Sequence, residues 1–191
     1  MVQVQSIQPT PNPNAFKFVV DGILYAGTKS YATAAEAAGH DLAESLFAID
    51  GVDTLFFCDR FVTVSMKASA DWRLVHEQAT RALEAYQPDG DAPNAAPSDA
   101  TDGAGAFDAT SLGENERALL QRIDEVLDDR IRPALAGDGG GLEVVGLDGK
   151  TLQIRYQGAC GSCPSSIAGT LMAIQNMLQS EVDEELSVVS V

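Results

Sequence analysis

Residues 88–113 constrain the architecture of this chain more than any other stretch. They run from Pro88-Asp89-Gly90-Asp91 to Ser111-Leu112-Gly113, with five acids, no base and almost no large apolar side chain. Such a segment cannot bury enough apolar surface to offset the entropy of ordering, so it reads as a disordered acidic linker. As a flexible coil it spans roughly 25–30 Å on average, enough to let its two flanks move independently. The 191 residues are therefore expected as two small domains, 1–87 and 114–191. Phe107 is the linker's one large aromatic residue and is read as undocked.

The second domain reads as α-β-β-α-β. Ser111-Leu112-Gly113-Glu114 is a capping-box pattern ahead of a helix whose apolar face is Leu119, Leu120, Ile123, Val126, Leu127 and Ile131. Pro133 is expected to help stop it. Gly139-Gly140-Gly141 precedes the strand Leu142–Val145, and Asp148-Gly149 turns the chain back into Thr151–Tyr156. A phosphate loop needs a strand before its glycines and a helix after them; here the order is reversed. The glycines are read as allowing a tight turn or a close backbone approach. Next comes Gly158-Ala159-Cys160-Gly161-Ser162-Cys163-Pro164-Ser165-Ser166, then a helix through Ile167, Leu171, Ile174 and Leu178 to about Gln179. Leu186–Val191 is a closing strand. Cys160 and Cys163 thus sit on a loop entering a helix N-terminus, where unpaired N–H groups and the dipole favour thiolate.

The first domain opens with Val2, Val4 and Ile7, followed by the turn-rich Pro9-Thr10-Pro11-Asn12-Pro13-Asn14. Ala15–Val20 reads as a strand and Ile23–Tyr25 as a short return strand. The Ala-rich stretch 33–48 reads as a helix interrupted near Gly39, with Ala34, Ala37, Ala38, Leu42, Leu46 and Phe47 on one side. Asp50-Gly51 ends it. Val52–Cys58 and Phe61–Met66 form a hairpin about Asp59-Arg60, and Asp71 is the expected N-cap of a helix through Leu74, Val75, Gln78, Leu83 and Tyr86. The fold class is α+β: two small α/β two-layer domains joined by the acidic linker.

Net charge is −16, with ten acids against six bases in 1–87 and thirteen against six in 114–191. Neither domain has a basic patch, which argues against nucleic-acid binding. No apolar run is long enough to span a bilayer. Met1–Ser6 has neither the apolar region of a secretion signal nor the Arg-rich character of a transit peptide, so a cytoplasmic location is expected.

Three cysteines, two of them separated by only two residues, do not suggest a secreted disulfide framework. Cys58 lies in a strand-like run and reads as a small core residue. For Cys160 and Cys163 several chemistries stay open. A thiol–disulfide oxidoreductase uses such a pair, but its fold needs more chain after the motif than the 28 residues present. A zinc site normally takes four ligands, and both histidines, His40 and His76, lie outside this domain. Iron–sulfur clusters likewise favour four thiolates. Two per chain in a symmetric dimer supply four, so one bridging [4Fe–4S] cluster is the simplest solution. No acid/base constellation accompanies the thiols, which argues against an enzyme.

Leu142–Val145, Asp148-Gly149, Gly158-Ala159-Cys160-x-x-Cys163-Pro164-Ser165-Ser166 and Thr170-Leu171 resemble the C-terminal domain of NifU-like (Nfu) iron–sulfur proteins. Pro9–Asn14 with Lys17-Phe18, and Leu46-Phe47-x-Ile49-x-Gly51-Val52, resemble the Nfu N-terminal domain. The chain departs from that pattern at Gly141 and at Gly161-Ser162, and neither departure removes a ligand. The resemblance implies a non-enzymatic scaffold or carrier, homodimeric when loaded, with Cys160 and Cys163 as ligands. It would receive the cluster from a donor and deliver it to apo-proteins, the N-terminal domain acting in docking or specificity.

Overall fold

The computed structural model describes residues 2–87, 113–159 and 164–191, and for 164–168 the backbone alone. The acidic segment 88–112 and its Phe107 lie outside the described residues. The chain divides into two compact units, Met1–Ser98 and Asp99–Val191.

Unit 1 is a five-stranded antiparallel sheet in the order β1-β2-β5-β4-β3, with two helices. β1 (Val4–Pro9), the apolar opening of the chain, pairs with β2 (Ala15–Val20). The proline-rich loop between them is closed by the Thr10 hydroxyl, which donates to the Asn12 and Ala15 carbonyls, each at 2.9 Å. The hairpin of β4 (Val52–Asp59) and β5 (Phe61–Met66) turns at Asp59, whose φ is +44°. α1 (Asp41–Phe47) and α2 (Trp72–Ala85) bury Leu42, Ala43, Leu46, Val75, Ala79 and Leu83 against one sheet face carrying Phe18, Val20, Leu55, Phe57, Val62 and Val64. As expected, Asp71 caps α2, its carboxylate accepting from the Arg73 N–H at 2.9 Å.

Three expectations change here. The return strand is β3 (Tyr25–Tyr31), longer than Ile23–Tyr25 and bulged at Gly27, where φ is +91°. The helix expected over 33–48 is reduced to α1. Thr33–His40 forms turns instead, ending at Gly39 with φ +89°, and Ala34 and Ala38 are exposed. The carboxylates of Glu36 and Glu44 accept from the Ala32 and Gly39 N–H groups, and the Gly39 N–H is backbone that a longer helix would have used. On α2 the buried stripe is Val75–Ala79–Leu83, and Leu74, a quarter turn away, is 56% exposed.

His40 caps α1. Its Nδ1 accepts from the Ala43 N–H at 3.1 Å, and its Nε2 is buried with no hydrogen-bond partner among the described residues. The rings of Tyr25, Tyr31 and Phe57 pack around it. Burial holds its pKa below the ordinary 6.5, opposed in part by its own backbone hydrogen bond and by Asp41 and Glu44. His76, set against Phe16, Phe18 and Trp72, is lowered by burial as well. Below the ordinary pKa the unfolded chain binds protons that the fold refuses, so this stability is complete above about pH 6.5 and is lost as pH falls through the folded value. Unit 1 should therefore melt at a lower temperature at about pH 5.5 than at about pH 7.5. His40→Asn, which keeps an acceptor and does not titrate, should flatten that slope in thermal melts; an unchanged slope would remove His40 from the account.

Unit 2 places a three-stranded sheet, β6-β7-β8, against helices. α3 (Glu114–Val126) begins at Gly113, whose N–H donates to the Glu116 carboxylate at 3.0 Å, half of a capping box. Pro133 does not stop this helix. A π-turn, Leu127–Ile131, carries it into α4 (Arg132–Gly137), with Pro133 in the first turn of the new segment. Proline is tolerated there because first-turn N–H groups need no helical partner, and the wider π-turn accommodates the change of register. β6 (Gly140–Asp148) and β7 (Thr151–Gly158) are antiparallel, turning at Gly149 with φ +58°. β8 (Ser187–Ser190) returns parallel to β7 after α5 (Pro164–Glu181). Ile123, Leu127, Leu152, Ile154, Ile174 and Leu178 are at most 1% exposed and form the core.

Candidate cluster-binding segment

The chain leaves the paired ends of β6 and β7 immediately before the thiol segment. Gly140 lies opposite Gly158 and Gly141 opposite Gln157. The ladder is extended by the Ala159 N–H, which donates to the Gly139 carbonyl at 3.3 Å. Gly139 and Gly158 both have positive φ, +77° and +65°, a conformation glycine reaches without steric cost. The glycine run therefore does what its order implied: it turns the chain after α4 and brings its backbone against the strand end that leads to the thiols. Ala159, 2% exposed, anchors that end in unit 2.

From Ala159 the chain reaches Pro164, the first residue of α5, in four residues. Cys160 and Cys163 belong to that interval and lie outside the described residues, as does the thiolate-favouring environment expected for them. The far end of α5 is fixed by polar contacts that patterning did not reveal. Arg122 on α3 donates to the Val182 carbonyl at 2.8 Å, and Gln175 accepts from the Val188 N–H at 3.0 Å. The sequence signal for them is weak: polar residues beside an apolar stripe.

The other candidate ligands are placed elsewhere. Cys58 on β4 is half-buried beside Phe61, and burial, then the Asp59 carboxylate, push its thiol up to about 11 against the pull of Lys17. A thiol so raised is protonated at neutral pH and makes a poor ligand or nucleophile. His40 and His76 serve packing and capping in unit 1. Among the described residues no three His, Cys, Asp or Glu side chains converge as a metal site. No described helix is long and apolar enough to cross a membrane.

Comparison with known proteins adds independent findings. Residues 4–90 match the family model described as scaffold protein Nfu/NifU N terminal, and residues 123–189 match that of the NifU-like domain. A Drosophila ananassae relative named NFU1 iron-sulfur cluster scaffold homolog, mitochondrial, is 32% identical over 189 residues, 95% of this chain and 62% of its own length. NifU-like protein 4, mitochondrial, of Arabidopsis thaliana is 33% identical over 180 residues, 93% of this chain and 62% of its own. The chain thus spans about three-fifths of the length of these curated relatives. Among solved structures, a Saccharomyces cerevisiae NifU-like protein aligns at 22% identity and a TM-score of 0.38, covering 44% of this chain and 74% of that one. A Staphylococcus aureus crystal structure aligns at 20% identity and 0.37, covering 42% and 96%.

The relatives' names overturn the cytoplasmic placement expected from Met1–Ser6. Both are named mitochondrial, against that expectation. With an Nfu-type N-terminal domain followed by a NifU-like domain, this chain belongs to the NifU-like (Nfu) family.

Proposed function

We propose that this protein is an iron–sulfur cluster scaffold or carrier. It holds one labile [4Fe–4S] cluster between the Cys160 and Cys163 thiolates of two copies and delivers it to apo-proteins. The observation that carries the reading is the ligand count. Residues 114–191 contain two cysteines and no histidine, and Cys58, in unit 1, has its thiol pushed up to about 11. Four thiolates then require two chains, and a closed two-fold dimer supplies them with the fewest assumptions. The relatives named as iron–sulfur cluster scaffolds support the same class of cargo. Their names also point to a mitochondrial setting.

In this reading residues 114–191 form the cluster domain, 88–113 the linker and 1–87 a docking or specificity module. No turnover is assigned to the chain. A cluster shared across a separable interface is released when that interface opens, which suits transfer. The test is iron and acid-labile sulfide per chain after anaerobic reconstitution with ferrous iron and sulfide, with native mass spectrometry on the same sample. About two irons and two sulfides per chain in a dimer are expected. A colourless, iron-free monomer with a titratable disulfide would overturn the reading in favour of thiol–disulfide exchange.

A further inference from the structure

α5 differs from the other long helices. From Pro164 to Ser180 it carries no Asp, Glu, Lys or Arg, in a chain of net charge −16. α2 and α3 both carry charges of both signs along their exposed faces. One side of α5 needs no charge because it is core: Ile174 and Leu178 are 1% and 0% exposed, with Leu171 and Met177 packed beside them. The opposite side has no such reason. Gly169, Met172, Ala173 and Asn176, spaced i, i+3, i+4 and i+7, are all exposed, Met172 at 66%. A Cβ added at Gly169 would meet nothing within 4 Å.

We propose that this uncharged face of α5 is where a second copy of the chain docks, bringing the two pairs of thiols together. The inference rests on the bridged-cluster function above and names the surface that function needs. Charge selects the occupant. Two copies at −16 repel wherever their acidic surfaces face each other, so self-association is least opposed across a face without charge. Position selects it too. α5 begins at the residue after Cys163, and Met172 lies eight residues beyond Pro164, about 12 Å along the axis. The face thus belongs to the element that follows Cys163 directly in the chain. In a two-fold contact each α5 meets its own copy, and helix separation is set by the side chains at the crossing. Gly169 and Ala173 add little bulk, and the flexible Met172 thioether adapts to the gap that remains.

Met172→Glu and Asn176→Glu test this in the full chain. The two exposed positions lie on successive turns, which guards against a local folding defect in either. Leu74→Glu, at an exposed position on α2 in unit 1, controls for added negative charge. After anaerobic loading with ferrous iron and sulfide, dimer population by native mass and iron retained after gel filtration are measured. The wild type and Leu74→Glu should dimerise and hold iron equally. Met172→Glu and Asn176→Glu, each placing like charges across a two-fold contact, should weaken both at least about tenfold. If these two variants dimerise and hold iron like wild type, or if Leu74→Glu loses as much as they do, the inference is overturned while the cluster function stands. An iron-free, monomeric wild type would overturn that function and this inference with it.

Discussion

Cys160→Ser or Cys163→Ser, made singly, should reduce the iron retained after reconstitution to below about a tenth of wild type. In a two-fold dimer one substitution per chain removes two of four ligands. Serine offers no thiolate, and its hydroxyl stays protonated at neutral pH, so the soft iron–sulfur site loses the donors it needs. The fold should not follow. The core of unit 2 is built from Ile123, Leu127, Leu152, Ile154, Ile174, Leu178 and their neighbours, none of them within 160–163. Circular dichroism and the melting temperature of the unloaded variants should therefore match wild type, separating loss of ligand from loss of structure. Cys58→Ser belongs in the same series as a control. Its thiol is pushed up to about 11 and sits in the sheet of unit 1, so iron should be retained in full. A single Cys160 or Cys163 variant holding a full complement of iron would sink the two-ligands-per-chain arrangement.

What could be read from the sequence, and what could not, divides along physical lines. Alternating apolar residues in Thr151–Tyr156 and the Asp148-Gly149 turn were enough to place the β6–β7 hairpin, because strand period and turn chemistry are local properties. Asp71 announced its helix for the same reason. Ala34–Ala38 misled, because alanine favours helix only where nothing else claims the backbone, and Glu44 and Gly39 claimed it. Pro133 misled in the opposite direction. The cost of proline depends on where a helical segment starts, and the π-turn at Leu127–Ile131 resets that start. For the site, the strand that leads to the CxxC pair and the helix that follows it were legible. The close approach expected of the glycine run was legible as well, but its partner, the strand end at Gly158-Ala159, emerges only once the hairpin register is followed to its end. Exposure at Met172 was equally hidden, since an apolar residue beside an apolar stripe looks like core until the helix is docked.

Gly51→Ala should be the most damaging single methyl in unit 1. Gly51 follows α1 and leads into β4 with φ at +96°, a conformation strained for any residue with a Cβ. Its carbonyl accepts from the Lys67 N–H at 2.9 Å, holding the start of β4 beside the segment that follows β5. Through that bond the turn is drawn against Ala70: a Cβ built on Gly51 falls 2.5 Å from the Ala70 Cβ and 3.5 Å from a Val75 methyl. An alanine methyl cannot rotate aside, so relief requires moving the backbone of 67–70 or the first turn of α2, whose Val75 is 2% exposed in the core. Left-handed strain of about 1 kcal/mol plus overpacking of about 1–3 kcal/mol gives an expected loss of about 2–4 kcal/mol. For a unit of this size that lowers the melting temperature by about 10–20 °C. The measurement is a calorimetric melt of the full chain. The transition of unit 1 should move while that of unit 2, whose core shares no residue with it, stays in place. Iron uptake should persist below the shifted transition, since the proposed ligands Cys160 and Cys163 belong to the other unit. A melt that is unchanged would mean the turn relaxes around the methyl, and that the contact with Ala70 does not hold α1, β4 and α2 in register.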